Sequence, residues 1–216
     1  SKMRKLSIFT FVLVIIITNN LSGKFVEIPK NSEKELVECI SSNKNLTNLR
    51  FSLTGYERES LNENEEEYQK FKCPDEGWLA EEGLPDLPRI TRLIAIPNDA
   101  SVSVEAINIE EEILSDINIY PYQPEYADVN SELKHFIKDI DFYNKDEVYP
   151  PKIVEVGKPA ILRDIRVVNV TINPFQYNPK KRELHIIKNA DIKVTYNSDN
   201  VENIKTRERK LSLIHI

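Results

Sequence analysis

Beyond Leu49 the apolar residues fall mostly on every second position, the spacing of a half-buried β-strand. Leu49, Phe51 and Leu53 share one face of a strand predicted over Leu49–Tyr56. Thr91–Ile96 is a second strand, closed by the turn Pro97-Asn98-Asp99. Val102, Val104 and Ala106 alternate until the apolar phase slips to Ile107 and Ile109. The same slip separates Ile165 and Val167 from Val168, Val170 and Ile172. A one-residue slip is the sequence mark of a β-bulge, so both places are expected to bulge. Asn178-Pro179-Lys180-Lys181 reads as a turn that joins this last strand to Glu183–Tyr196 in a hairpin. There Leu184 and Ile186, then Ile192, Val194 and Tyr196, alternate on either side of Asn189.

The N-terminal part is less decided. Ser32-Glu33-Lys34-Glu35 fits a capping box for a short helix over 33–42, whereas Leu36–Ile40 reads nearly as well as a strand. Many strands, turn punctuation and almost no amphipathic helix indicate an all-β, antiparallel β-sandwich of jelly-roll-like type over 49–198. Two stretches depart from the pattern. Residues 57–82 hold ten acids against three bases and are expected to be a solvated, mobile loop; a calcium site there lacks the spaced Asp/Asn/Gly loop it needs. Residues 120–150, opening with Tyr120-Pro121-Tyr122-Gln123-Pro124-Glu125-Tyr126, read as a long loop projecting from a rigid body, where binding function usually resides.

The two ends read differently from the middle. Met3-Arg4-Lys5 precedes an apolar run from Leu6 to Ile17, and Thr18 to Gly23 then turns polar and small. This is the layout of a secretory signal over 1–23, with cleavage expected after Ser22 or Gly23 and a secreted, cell-surface or periplasmic destination. The apolar run is short for a bilayer, so a cleaved signal is expected rather than a retained anchor, and no stable membrane span is expected after its removal. Ser1 and Lys2 precede the start expected at Met3, and no cysteine marks the cleavage site as in a lipoprotein. Residues 24–48 form an N-terminal segment ahead of the sandwich. Removing the signal takes Lys2, Arg4 and Lys5 with it, leaving 26 bases against 35 acids. An acidic body disfavours nucleic acid and anionic membranes as partners.

Candidate chemistry is sparse. Cys39 and Cys73 meet an oxidising compartment and are equally open to pairing as a disulfide or remaining free. Neither looks like a nucleophile, since the mature chain offers as bases only His135, His185 and His215, and His185 belongs on the solvent face of a strand. No Gly-x-Ser-x-Gly occurs, and no metal-ligand spacing or cofactor motif is visible. The chain is therefore expected not to be an enzyme and to need no cofactor.

A set of motifs carries a resemblance. Gly83-Leu84-Pro85-Asp86-Leu87-Pro88 leads into Arg92-Leu93-Ile94-Ala95-Ile96-Pro97, followed by Val102-Ser103-Val104-Glu105. Ala160-Ile161-Leu162-Arg163-Asp164-Ile165-Arg166 is the strongest stretch, and Pro174 to Pro179 and Leu184-His185-Ile186 complete the series. In order and spacing this set resembles the propeptide of gingipain-family cysteine endopeptidases over about Leu49 to Tyr196. Read physically, Pro85 and Pro88 suit a sheet edge. Arg163, Asp164 and Arg166 stand at the start of a strand and are expected to pair ionically with a neighbouring strand.

The resemblance implies a β-sandwich that helps a zymogen fold and occludes the cysteine peptidase domain attached to it. It also implies a basic residue on a projecting loop that enters the peptidase's pocket. Counting on from Pro121, that position falls near Asp128, which has the wrong charge; Lys134 and Lys138 are the candidates instead. Arg207, Arg209 and Lys210 lie where such a propeptide would be released, in a linker over 199–210. Leu211–Ile216 resembles translated sequencing-adapter read-through, which would leave the peptidase domain missing beyond it. The rival expectation is a free-standing secreted module for a glycan or envelope partner, with Trp78, Tyr120, Tyr122 and Tyr126 as an aromatic platform.

Overall fold

A computed structural model describes residues 23–124 and 135–197. In chain order the strands begin with β1 Lys24–Glu27, β2 Val37–Ser42, β3 Leu46–Ser52, β4 Gly55–Glu63, β5 Glu66–Lys72 and β6 Gly77–Trp78. β7 Pro88–Ala95 and β8 Ser101–Leu114 follow, then a one-turn helix α1 Ile140–Tyr143. β9 Val154–Val156, β10 Ala160–Leu162, β11 Ile165–Ile172, β12 Phe175–Asn178 and β13 Glu183–Asn197 complete the order. Among the described residues no helix is long and apolar enough to cross a membrane.

Three antiparallel sheets result. One runs β10-β11-β7-β6, with β9 also beside β11. A second is organised by the long β13, which has β8 along one side and β12 then β3 along the other, with β2 outside β3. A small sheet β1-β4-β5 supplies the third. Ile90, Val168, Val170 and Ile172 from the first sheet share one buried core with Phe51, Leu184, Ile192 and Val194 from the second and Tyr56 and Phe71 from the third. Leu49, Phe51 and Leu53 are all buried, as their alternation demands.

Several local expectations are settled by pairing. Residues 37–42 form β2 rather than a helix, because their backbone groups are taken up by β3. The slip after Ala106 is a real bulge: between Ile107 and Glu110, β8 advances three residues while β13 advances two, and Asn108 sits at φ 50°. The slip after Val167 is not a bulge, since β11 pairs with β7 in unbroken register from Val167 to Ile172. There both faces are covered, so Arg166, Val167 and Val168 are buried in succession. Nor does β11 pair with β13. The chain passes through Asn173-Pro174 into the other sheet, and the separate strand β12 makes the hairpin. Pro88 opens β7, which lies between β11 and β6 and is not an edge.

The acidic stretch is also ordered. Gly55–Lys72 is a hairpin of β4 and β5 through a two-residue turn, Asn64 and Glu65, both at positive φ. Its acids are solvated, while Tyr56, Tyr68 and Phe71 turn inward and Arg58 lies over the Phe71 ring. A few buried aromatics outweigh the charge of their neighbours because fully burying one such side chain is worth about 1.5–3 kcal/mol.

Candidate interaction site

The irregular region 117–150 is seated on the body by backbone bonds. Gln69 of β5 donates to Asn118 O (2.7 Å) and accepts from Tyr120 N (3.0 Å). On its other side Tyr120 O accepts from Asp86 N (2.9 Å), and Tyr122 exchanges bonds with Leu84 O and Gly83 N. Gly83 has φ 75°, and a Cβ there would lie 3.0 Å from Asp139 N, so this place takes glycine. Gly83 O in turn accepts from Asp139 N at 3.0 Å. The Gly-Leu-Pro-Asp-Leu-Pro motif is therefore the shelf on which both limbs of the loop rest.

Buried phenols complete the seat. Tyr143 Oη donates to Ile119 O and Tyr177 Oη to Ile117 O, each at 2.9 Å. Burial pushes the Tyr177 hydroxyl up to about 12 and the Tyr143 hydroxyl higher still, so both stay protonated donors. Tyr68, Tyr120 and Phe136 pack ring against ring, with centroids 5.6–5.7 Å apart.

Gln123 then ties the limbs together, donating to Ile137 O (2.7 Å) and accepting from Ile137 N (2.9 Å). Lys138 follows at once. Its Nζ lies 2.9 Å from Glu66 Oε2 and 2.9 Å from Tyr68 Oη, and 5.0 Å from the ring centroids of both Tyr68 and Tyr143. Lys138 thus does not project; it is turned into the body and braces the loop base against β5. Lys134, Tyr126, Asp128, Arg207, Arg209, Lys210 and Ser22 lie outside the described residues. Gly23 is exposed immediately before β1.

The other sequence candidates are scattered. Cys39 is exposed on the edge strand β2 and Cys73 is buried after β5; both are free thiols, so the disulfide weighed for them is not formed. His185 faces Glu111 across β13 and β8, 3.2 Å away. Trp78 is 57% exposed beside Tyr122 and Pro124 in a cleft of about 640 Å³. Tyr120 is spent on packing against Tyr68 and Phe136, so the aromatic platform of a sugar site is not assembled from it.

Arg163 and Asp164 do not begin a strand. They form the two-residue turn between β10 and β11, with Arg163 at φ 56°. Arg166 is fully buried, and its guanidinium donates to Pro97 O (2.7 Å) and Ala100 O (2.5 Å), two backbone carbonyls of the turn after β7. The sequence indicated where the loop lies, but not the parts that Gln123, Gly83 and Tyr143 play in seating it. Only the glycine carried a readable signal, inside the family motif.

The class these elements define is an all-β sandwich whose irregular segment is tied to the body at both limbs. Residues 29–215 match the family described as Propeptide_C25, and the chain belongs to that family. Gingipain R2 of Porphyromonas gingivalis is 21% identical over 197 residues, covering 90% of this chain and 27% of its own length. Lys-gingipain of the same organism is 27% identical over 123 residues, covering 54% of this chain and 7% of its own. The chain thus spans about a quarter or less of these relatives. The solved complex of the P. gingivalis RgpB pro- and mature domains superposes with a TM-score of 0.73 at 22% identity, covering 80% of this chain and 91% of that one. A structure on zymogenic latency of gingipain K superposes at 0.68 and 20% identity, covering 82% and 99%. These superpositions establish the shared fold.

Proposed function

We propose that this chain is the non-catalytic N-terminal propeptide of a secreted, gingipain-like cysteine endopeptidase, and that it assists the folding of the peptidase domain and keeps it latent. The observation that carries this reading is the double tie between Gln123 and Ile137, in a member of a propeptide family. The tie fixes both ends of the segment between these residues, which lowers the ordering cost of holding that segment against a peptidase cleft. Similarity to a pro- and mature-domain complex and to a structure on zymogenic latency supports the same role. Lys134 takes the part of the presented base, because Lys138 is committed to Glu66 and Tyr68. Signal cleavage at Ser22 or Gly23 starts the mature chain at β1, and cutting after Arg207, Arg209 or Lys210 frees the sandwich.

The test is inhibition. The purified chain is titrated against its separately prepared peptidase domain with Arg- and Lys-terminated peptide substrates. Inhibition at nanomolar to micromolar chain is the expected result. No inhibition, together with unaltered refolding yield of the peptidase, would remove the proposal.

A further inference from the structure

The tip of the first sheet, at the opposite end of β7 from the loop base, carries a second bare surface. Ala160 to Ile165 are all exposed, and Leu162 and Ile165, directly paired across the β10–β11 hairpin, are 54% and 56% exposed. Opposed residues of neighbouring strands point to the same face. Ala160, Val167 and Ala95 are opposed in one row, so Leu93 of β7, 55% exposed, lies on the face of Leu162 and Ile165, with Val167 buried as their floor. At the summit Arg163 is exposed and makes no hydrogen bond or ion pair among the described residues. Half-bare Leu and Ile side chains grouped around an uncommitted guanidinium have the chemistry of an interface, with an apolar centre and an arginine for a carboxylate.

We infer that this hairpin tip is a second docking point for the peptidase domain that follows in cis. The inference rests on the propeptide reading above and adds a surface remote from the loop. What selects this occupant is where the chain leaves the sandwich. Asn197, the last residue of β13, pairs with Ser101, whose hydroxyl donates to Asn197 O at 3.3 Å. Ser101 adjoins Ala100, and Ala100 O holds the guanidinium of Arg166, next to Ile165. Asn197 therefore lies at the end of the sandwich that carries the tip, and a domain attached beyond it starts from that end. Attachment raises its effective concentration to the order of millimolar, so even a small surface is occupied while the chain is intact. A second copy of this chain fits less well, because a twofold contact through the same patch sets Arg163 against its own copy. The excess of acids over bases likewise disfavours an anionic bilayer.

The test uses the exported chain, its separately prepared peptidase domain, and the variants Arg163→Glu and Leu162→Asp. Both sites are exposed, so melting is expected to match the parent. The inference predicts at least a tenfold rise in the inhibition constant for each variant. It also predicts slowed amide exchange at Ile161–Arg166 when the parent chain is bound. An unchanged inhibition constant with an inhibitory parent chain overturns this inference and leaves the propeptide reading standing; a parent chain that neither binds nor inhibits overturns both. A dimer in ultracentrifugation lost with Leu162→Asp, or binding to phosphatidylserine vesicles lost with Arg163→Glu, assigns the tip to another occupant and also overturns it.

Discussion

Gln123 and Ile137, fourteen residues apart, close on each other through two hydrogen bonds of 2.7 and 2.9 Å, one in each direction. The side-chain amide of Gln123 mimics a β-partner for one peptide unit and so ends the loop as a strand pair would. Gln123→Ala removes both bonds and leaves a partly buried N–H and C=O to water, a local cost of about 1–3 kcal/mol. The expected outcome is faster amide exchange at Ile137 and weaker peptidase inhibition with little change in global melting. Unchanged exchange at Ile137 would show that the tie contributes nothing.

Glu66 makes the Lys138 brace sensitive to acid. Hydrogen bonds from Tyr68 and then Lys138 hold its carboxyl below the usual carboxylate range. A depressed folded-state pKa contributes stability above the ordinary value and loses it as pH falls through the lower, folded one. Glu66→Gln should therefore melt below the parent at neutral pH, and the gap should close on acidification. A gap that stays constant from pH 7 to pH 3 contradicts this linkage.

The cysteines differ in reactivity. Burial, aided by the nearby Glu76 carboxylate, pushes the Cys73 thiol up to about 12, whereas Cys39 is open to solvent. Reactivity follows the accessible thiolate. Titration with a disulfide reagent at pH 8 should modify one thiol in the native chain and two in denaturant. No reaction in either state would mean that the pair had oxidised to a disulfide.

Arg166 is a strut between the sheet and the turn after β7. Arg166→Met keeps the apolar stem but orphans the carbonyls of Pro97 and Ala100, and is expected to cost about 2–4 kcal/mol. Urea denaturation reads this directly, and an unmoved midpoint would refute it. Arg166→Lys should recover part of the loss.

The strands with one face on the core were legible in the sequence. Alternation located β3, β7, β8 and β13, and the slip at Ala106–Ile107 announced the bulge at Asn108, because the two-residue period of a strand is written in its side chains. The shelf glycine was visible inside its motif. The β4–β5 hairpin was hidden, since its many acids face water and only Tyr56, Tyr68 and Phe71 turn inward. Cover on both faces erases periodicity at Arg166–Val168. Tertiary structure alone decided that β11 and β12 lie in different sheets, that Lys138 turns inward, and that Gln123 meets Ile137. It also decided that Arg163 stands exposed in the turn of the β10–β11 hairpin. Local periodicity states which face of a segment is buried; which distant segment buries it is decided by packing between residues that no sequence interval relates.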